Sequence, residues 1–235
     1  MQVFYLPNIS GKFTILSETE SKHCIKVLRY SLSDIIHLID GKGGLYKARI
    51  IEANPHSCKL EIIEYQPDYH KRNSKLHIAI APPKQTDRFE WFIEKAVEIG
   101  VDEITPIHCK HSERKEIKIE RLEKLIITAM KQAIVSEKPV LNEMITFRQL
   151  IKTLSTVDSD KFIAHYTDAS QKPLREALTR SNNAIVLIGP EGDFTPEEIE
   201  TALKEGIYPV SLGKNRLRTE TAALSACLIF NQINY

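Results

Sequence analysis

Two stretches decide the fold. The first is Ile185-Val186-Leu187-Ile188-Gly189-Pro190-Glu191-Gly192-Asp193-Phe194. The second is Val210-Ser211-Leu212-Gly213-Lys214-Asn215-Arg216-Leu217-Arg218-Thr219-Glu220-Thr221-Ala222-Ala223. Each opens with a short apolar, β-branched run, passes through a glycine-bearing loop and ends at a helix-start signal. An apolar run bounded by turn residues suits a strand buried on both faces. Strand–loop–helix units gather their loops at the carboxyl ends of a parallel sheet, where open α/β sheets bind ligands. Two such loops within about forty residues predict one composite site.

Working outward, Thr195, Pro196 and Glu198 predict a helix over 196–204. Thr195 caps it, Pro196 takes the first position and Glu198 closes a capping box. Tyr208 to Leu212 reads as a strand and Glu220 to Asn231 as the last helix. Upstream, Lys75 to Ala81, Glu103 to Ile107 and Lys161 to Tyr166 read as strands, and Pro173 to Thr179 as a short helix. Asp87 to Ile99 reads as a helix capped by Asp87, with Glu90 at its third position and Gly100 as its stop. Ile119, Leu122, Ile126, Met130 and Ala133 form one stripe of a helix over 119–136, ended by Pro139. This alternation predicts an α/β domain over residues 74–235, its parallel sheet covered on both faces.

Residues 1–70 differ in character. Val3 to Leu6, Ile35 to Asp40, Leu45 to Glu52 and Cys58 to Tyr65 are short runs of strand type. Asp40-Gly41-Lys42-Gly43-Gly44 and Asn54-Pro55 are turns between them. One helix interrupts, over 17–29, where Glu20 follows Ser17 at capping-box spacing. These features predict a small barrel-like or sandwich module. The polar stretch Pro67 to Ser74 reads as a linker.

The chain has 235 residues, 42% hydrophobic and 27% charged, with a net charge of +1. That composition supports a packed core and speaks against disorder. The N-terminal 72 residues carry +2 and the remainder −1, so an anionic partner has to meet a local patch. Cys24, Cys58, Cys109 and Cys227 stand apart, without the spacing of a zinc site or a redox motif. Reduced thiols in a cytoplasmic protein are the simplest reading. No secretory signal and no bilayer-spanning apolar run is present, so neither a membrane nor a metal is expected.

Several residues carry two readings. Gly189 to Gly192 suits close approach of a ligand to the backbone, and equally a tight turn; neither GxGxxG nor a Walker motif occurs. Lys214, Arg216 and Arg218 suit phosphate contacts, and equally a solvated basic loop. Thr219 as cap and Glu220 in the first turn are explained by helix chemistry alone. His108, Cys109 and His111 lack a second ligand cluster. Lys84, Asp87, Arg88 and Ser112-Glu113-Arg114 follow strands and so have a positional claim on the site. Trp91 and Phe92 read as core or interface residues.

Together these residues resemble the ribosomal RNA small-subunit methyltransferase E family of SPOUT-class enzymes. The family's GPEGG-F-[ST] segment is matched by Gly189 to Thr195, and its SLG…LR-ETA segment by Ser211 to Ala222. The first-helix signature is matched across Lys84 to Pro106, with Lys84, Asp87, Arg88, Lys95, Glu98, Gly100 and Pro106 retained. Ser112-Glu113-Arg114 matches an SERS-like segment, and His23 with Val27-Leu28-Arg29 the N-terminal pattern. The chain departs from the family where Asp193 replaces a glycine. It departs again at Gln132-Ala133-Ile134-Val135, where a cation is lost.

The resemblance implies a SPOUT-type α/β trefoil knot with a PUA-like, RNA-binding N-terminal β-barrel. It implies a homodimer with the active site at its interface, and S-adenosylmethionine-dependent methylation of N3 of one 16S rRNA uridine. It places the cofactor against His165, Tyr166, Leu187, Gly189, Pro190, Glu191, Gly192, Leu212, Gly213, Leu217, Thr221 and Ala222. Arg29, Lys84, Arg88, Arg114, Lys214 and Arg216 become RNA contacts. Arg218, as the cation for charge on uracil oxygens, and Glu220, as base, become the catalytic candidates. A non-catalytic ribosome-assembly factor and a nucleotide-binding enzyme that uses the Gly189 loop are the competing expectations.

Overall fold

The computed structural model describes residues 1–166 and 171–234. The chain forms two compact units: Met1–Lys71 together with Ile127–Lys138, and the remainder.

The first unit is a curled half-barrel of five strands. These are β1 (Val3–Tyr5), β2 (Phe13–Ile15), β3 (Ile35–Ile39), β4 (Leu45–Glu52) and β5 (Lys59–Gln66), in the order β1-β3-β4-β5-β2. The β1–β3 pair is parallel and the others antiparallel. Alternate residues face the core, which holds Phe4, Leu16, Ile36, Leu38, Ile50 and Leu60. The Asp40 turn closes on its own carboxylate, which accepts from the N–H of Lys42 (2.7 Å) and Gly44 (2.9 Å) and from the Tyr46 hydroxyl (3.0 Å).

The helix expected over 17–29 is shorter and changes form. Helix α1 (Glu18–Lys22) widens into a π-helical turn at His23–Val27 and stops at Leu28, with Arg29 in the left-handed region. Half of its capping box forms. Ser17 Oγ accepts from Glu20 N–H at 3.3 Å, but the Glu20 carboxylate takes Lys131 instead, at 2.6 Å. Strand β2 was not anticipated; three residues are too few to show alternation.

The second unit carries the site. Its strands are β6 (Leu76–Ile80), β7 (Glu103–His108), β8 (Val140–Leu141), β9 (Ile145–Thr146), β10 (Asp160–Ala164), β11 (Ala184–Ile188) and β12 (Tyr208–Val210). They form one parallel sheet in the order β12-β10-β11-β6-β7-β8, with β9 also beside β7. The helices are α2 (Thr86–Ile99), α3 (Ile119–Ala133, which from Ile127 onward belongs to the first unit), α4 (Phe147–Leu154), α5 (Leu174–Ala177), α6 (Pro196–Lys204) and α7 (Thr219–Asn234). Helices α4 and α6 bury Phe147, Leu150, Leu154 and Ala202 against Ile163, Ile185 and Leu187 on one face. Helix α7 packs against β6 and β11, and α2 packs on α7.

Register decides where the site falls. Ala164 pairs with both Ile188 and Val210, so β10, β11 and β12 end at one level. Their three following loops therefore emerge side by side, which is the geometry of a ligand site on a parallel sheet.

Three capping expectations are corrected. Gln85, not Asp87, precedes α2, and Asp87 sits inside its first turn. Gly100 ends α2 as read, in the left-handed region at φ +106°. Helix α3 ends at Ala133, well before Pro139, because Ile134 turns left-handed and Val135 N–H bonds back to Met130 O. Thr219 lies within α7 rather than before it. The capping box of α6 is present as read. The stretch read as linker ends in an anchor. Arg72 is buried, with its guanidinium on Asp102 (2.6 Å), Gly100 O (2.9 Å) and Asn231 (2.7 Å).

Candidate active site

A cavity of about 970 Å³ opens at the carboxyl ends of β10, β11 and β12. Sites for small organic ligands run from about 300 to 1,000 Å³. Its walls are His165 and Tyr166 after β10, Gly189 to Glu191 and Asp193 after β11, and Ser211 to Thr219 after β12. Ile188, Val210, Leu174, Ala222 and Ile229 give it an apolar floor.

The walls are tied to one another by hydrogen bonds between loops distant in sequence. Thr219 Oγ1 donates to Gly189 O at 3.0 Å, in a buried setting. The hydroxyl read as a helix cap thus joins the two loops. Arg216 Nη2 donates to Glu191 O at 3.2 Å. The Asp193 carboxylate accepts from Tyr166 N–H (3.0 Å) and Phe194 N–H (2.7 Å), linking the loops after β10 and β11. Asp193 stands at φ +61°, a conformation that explains a glycine at this place and that Asp tolerates better than most residues. The segment after residue 170 is held too, by Leu174 N–H on Ser211 O (2.9 Å) and Ser211 N–H on Lys172 O (3.1 Å). Gln171 meets His165 Nε2 at 2.7 Å.

Charge is concentrated here. Among the described residues, Arg88, Arg175, Lys214, Arg216 and Arg218 line the cavity against Glu191 and Asp193. A chain of net charge +1 therefore carries a strongly cationic cleft, the local patch that an anionic polymer requires.

Of the residues expected at the cofactor, His165, Tyr166, Gly189, Pro190, Glu191, Leu212, Gly213, Leu217 and Ala222 line the cavity. Leu187, Gly192 and Thr221 do not. Leu187 points to the opposite face of β11 and is fully buried in the core, as strand alternation requires. Gly192 packs on His111, where a Cβ would stand 3.0 Å from the histidine's own, and the His111 Nδ1–H donates to Gly192 O at 3.0 Å. Thr221 is an exposed residue of α7. Of the RNA candidates, Arg88, Lys214 and Arg216 line the cavity. Arg29 belongs to the other unit. Arg114 is a loop clamp, donating to Pro83 O (2.9 Å), Lys84 O and Thr86 Oγ1 (2.9 Å). Lys84 pairs with Glu113 at 2.6 Å, and that carboxylate raises the lysine above its ordinary range. Arg218 lines the cavity; Glu220 is buried beneath it and does not. Gln171, Leu174, Arg175 and Ile229 are lining residues that no motif marked. Among the described residues no group of three His, Cys, Asp or Glu could hold a metal, and no helix is long and apolar enough to cross a membrane.

The parallel sheet with this cleft and the small β-module are the two parts of an RNA methyltransferase, as family matches show. Residues 70–231 match the family described as RNA methyltransferase domain, and residues 16–63 the RNA methyltransferase PUA domain. Ribosomal RNA small subunit methyltransferase E of Mesomycoplasma hyopneumoniae is 31% identical over 95% of this chain and 96% of its own. A crystal structure of a probable rRNA-methyltransferase from Porphyromonas gingivalis superposes with a TM-score of 0.91 at 38% identity, covering 100% of this chain and 98% of that one. The ribosomal RNA small subunit methyltransferase E of Neisseria gonorrhoeae, bound to S-adenosyl methionine, gives 0.85 at 28% identity, covering 99% and 97%. The chain belongs to the ribosomal RNA small subunit methyltransferase E family.

Proposed function

We propose that this protein transfers a methyl group from S-adenosylmethionine to N3 of one uridine of 16S rRNA, uracil-1498, as a cytoplasmic homodimer with a trefoil-knotted catalytic unit. The observation that carries the reading is the cleft itself. Three loops leave the sheet at one level and are joined by the Thr219–Gly189 and Asp193–Tyr166 bonds, and Lys214, Arg216 and Arg218 of the third loop line the cleft with Arg88 of α2 and Arg175 of α5. Division into two units, with residues 1–70 as a PUA-like RNA-binding module and 74–235 as the methyltransferase, belongs to the same proposal.

The cleft fits the cofactor. Leu174, Ile188, Leu212 and Leu217 offer an apolar slot for the adenine. The Gly189 and Gly213 backbones permit close approach. Glu191 and Asp193 supply negative charge for the ammonium and sulfonium groups. When bound, S-adenosylmethionine supplies an already activated methyl group. The protein has then to orient the uracil, exclude water and ease loss of its N3 proton. That loss places charge on O2 and O4. Arg218, in the cleft wall, stabilises it, and Lys214 and Arg216 hold the flanking phosphates. The base has to leave its stack to enter, as in other enzymes acting on a nucleobase.

Mass mapping of 16S rRNA from cells with and without the protein tests the reading. A single 3-methyluridine present only with the protein supports it. Loss of no modification, with no S-adenosylmethionine binding by calorimetry, refutes it in favour of an assembly factor. Arg218→Ala is expected to bind cofactor normally and turn over about 100- to 1,000-fold more slowly, the usual cost of one charge-stabilising donor.

A further inference from the structure

Glu220 was read from sequence as a candidate base. Its side chain is 7% exposed, and the residue is absent from the cavity wall. A general base has to come within about 2.6–3.2 Å of the proton it takes, directly or through one water. Glu220 instead faces Arg88 across the packed α2–α7 pair, with Oε1 3.8 Å from Nε. Among the described residues neither side chain has another ion-pair partner. The separation is too long for a hydrogen bond. The contact is therefore between charges, and among the described residues no hydrogen bond engages the N–H groups of Arg88. Arg88 lines the cleft and its side chain is 32% exposed, so a ligand in the cleft can reach it.

We propose that Glu220 is a positioning residue acting through Arg88, and that Arg88 is a second catalytic cation beside Arg218. The proposal rests on the uridine-N3 reading above. The N3–H bond breaks with its electron pair left on the imide, and the proton passes to solvent. That pair forms the new N–C bond as the C–S bond of the cofactor breaks and its pair returns to sulfur. Negative charge exists on the uracil between these events, and the two arginines oppose it on O2 and O4. A buried carboxylate fixes one guanidinium in place, as pre-organised electrostatic stabilisation requires.

A double-mutant cycle separates this from a base. Arg88→Gln, Glu220→Gln and the pair are assayed in single turnover on unmethylated small ribosomal subunits, with cofactor affinity measured by calorimetry as a check on the fold. Arg88→Gln should lower the rate about 100-fold and Glu220→Gln about tenfold. In the Arg88→Gln background, Glu220→Gln should cost nothing more, because the two act as one unit. Arg88→Lys, which keeps the charge, should recover most of the rate. RNA carrying 5-fluorouridine, whose N3–H is more acidic, should narrow the Arg88→Gln deficit. The proposal is overturned if Glu220→Gln still costs tenfold without Arg88, or if the Arg88→Gln loss lies wholly in RNA affinity and 5-fluorouridine leaves it unchanged. Absence of 3-methyluridine from the wild-type product would sink the underlying reading instead.

Discussion

Asp193 offers a test in which two opposed effects can be weighed. The residue stands in the left-handed region at φ +61°. That conformation costs a non-glycine residue on the order of 1 kcal/mol, somewhat less for Asp. Glycine would remove the cost. Against it stand two bonds from backbone amides to the carboxylate, at 2.7 and 3.0 Å. Hydrogen bonds to a charged group contribute about 1.5–3 kcal/mol each, and a half-exposed carboxylate belongs at the low end. Asp193→Gly therefore loses about 3 kcal/mol and regains about 1, a net loss of about 2 kcal/mol. For a chain of this size that lowers Tm by about 4–8 °C. Asp193→Ala keeps the strain and loses both bonds, so it should fall furthest. Asp193→Asn keeps the local tolerance and one acceptor, so it should fall least. Because Asp193 joins the loops after β10 and β11, affinity for S-adenosylmethionine should decline in the same order. Urea denaturation and calorimetry read the two quantities. A glycine variant as stable as the parent, or more so, would show that the carboxylate contributes nothing and that relief of strain wins.

Other outcomes follow from the same structure. Thr219→Val leaves the buried Gly189 carbonyl without its donor and should cost about 1–3 kcal/mol in urea denaturation, whereas Thr219→Ser should retain most of the stability. Arg72→Met removes the guanidinium from Asp102, Gly100 O and Asn231 and should cost about 3–5 kcal/mol by the same measurement. His77 is buried with Nε2 2.7 Å from Thr105 Oγ1, and burial pushes its pKa below the ordinary value. The unfolded imidazole takes its proton near pH 6.5, and the folded one only at lower pH. This contribution to stability is therefore complete above about pH 6.5 and is lost as pH falls below it. Urea midpoints for His77→Gln should accordingly vary less than the parent's between pH 7.5 and 5.5.

The parallel sheet was legible because its strands are buried on both faces. Ala184–Ile188 is wholly buried, and such strands read as unbroken apolar runs. The α6 start was legible because Thr195, Pro196 and Glu198 act locally. The same signal, Thr146 with Gln149, marks the start of α4, where the structure contains a second capping box. What sequence could not supply was order. Nothing in the residues of β10, β11 and β12 states that Ala164 pairs with both Ile188 and Val210, yet that register is what brings three loops into one cleft. The unmarked lining residues Gln171, Pro173, Leu174 and Arg175 share that cause. They reach the site through backbone bonds to Ser211, and backbone bonds leave no trace in residue type.

Thr219 and Glu220 show where local reasoning stops. Helix chemistry alone offers each of them a reading, and both readings concern only the first turn of α7. In the fold, the Thr219 hydroxyl is spent on Gly189 O, thirty positions away, and the Glu220 carboxylate on Arg88 of another helix. A buried polar group has to find a partner, but that rule does not say the partner is near in sequence. Burial is what distinguishes the two cases. An exposed Thr-Glu at a helix start would satisfy itself locally. At 5% exposure each, these two are committed to long-range partners, and those partners are the Gly189 loop and the Arg88 cation that line the cleft. The residues of a site that look most ordinary in sequence are thus the ones whose burial, once known, says most about how the site is held.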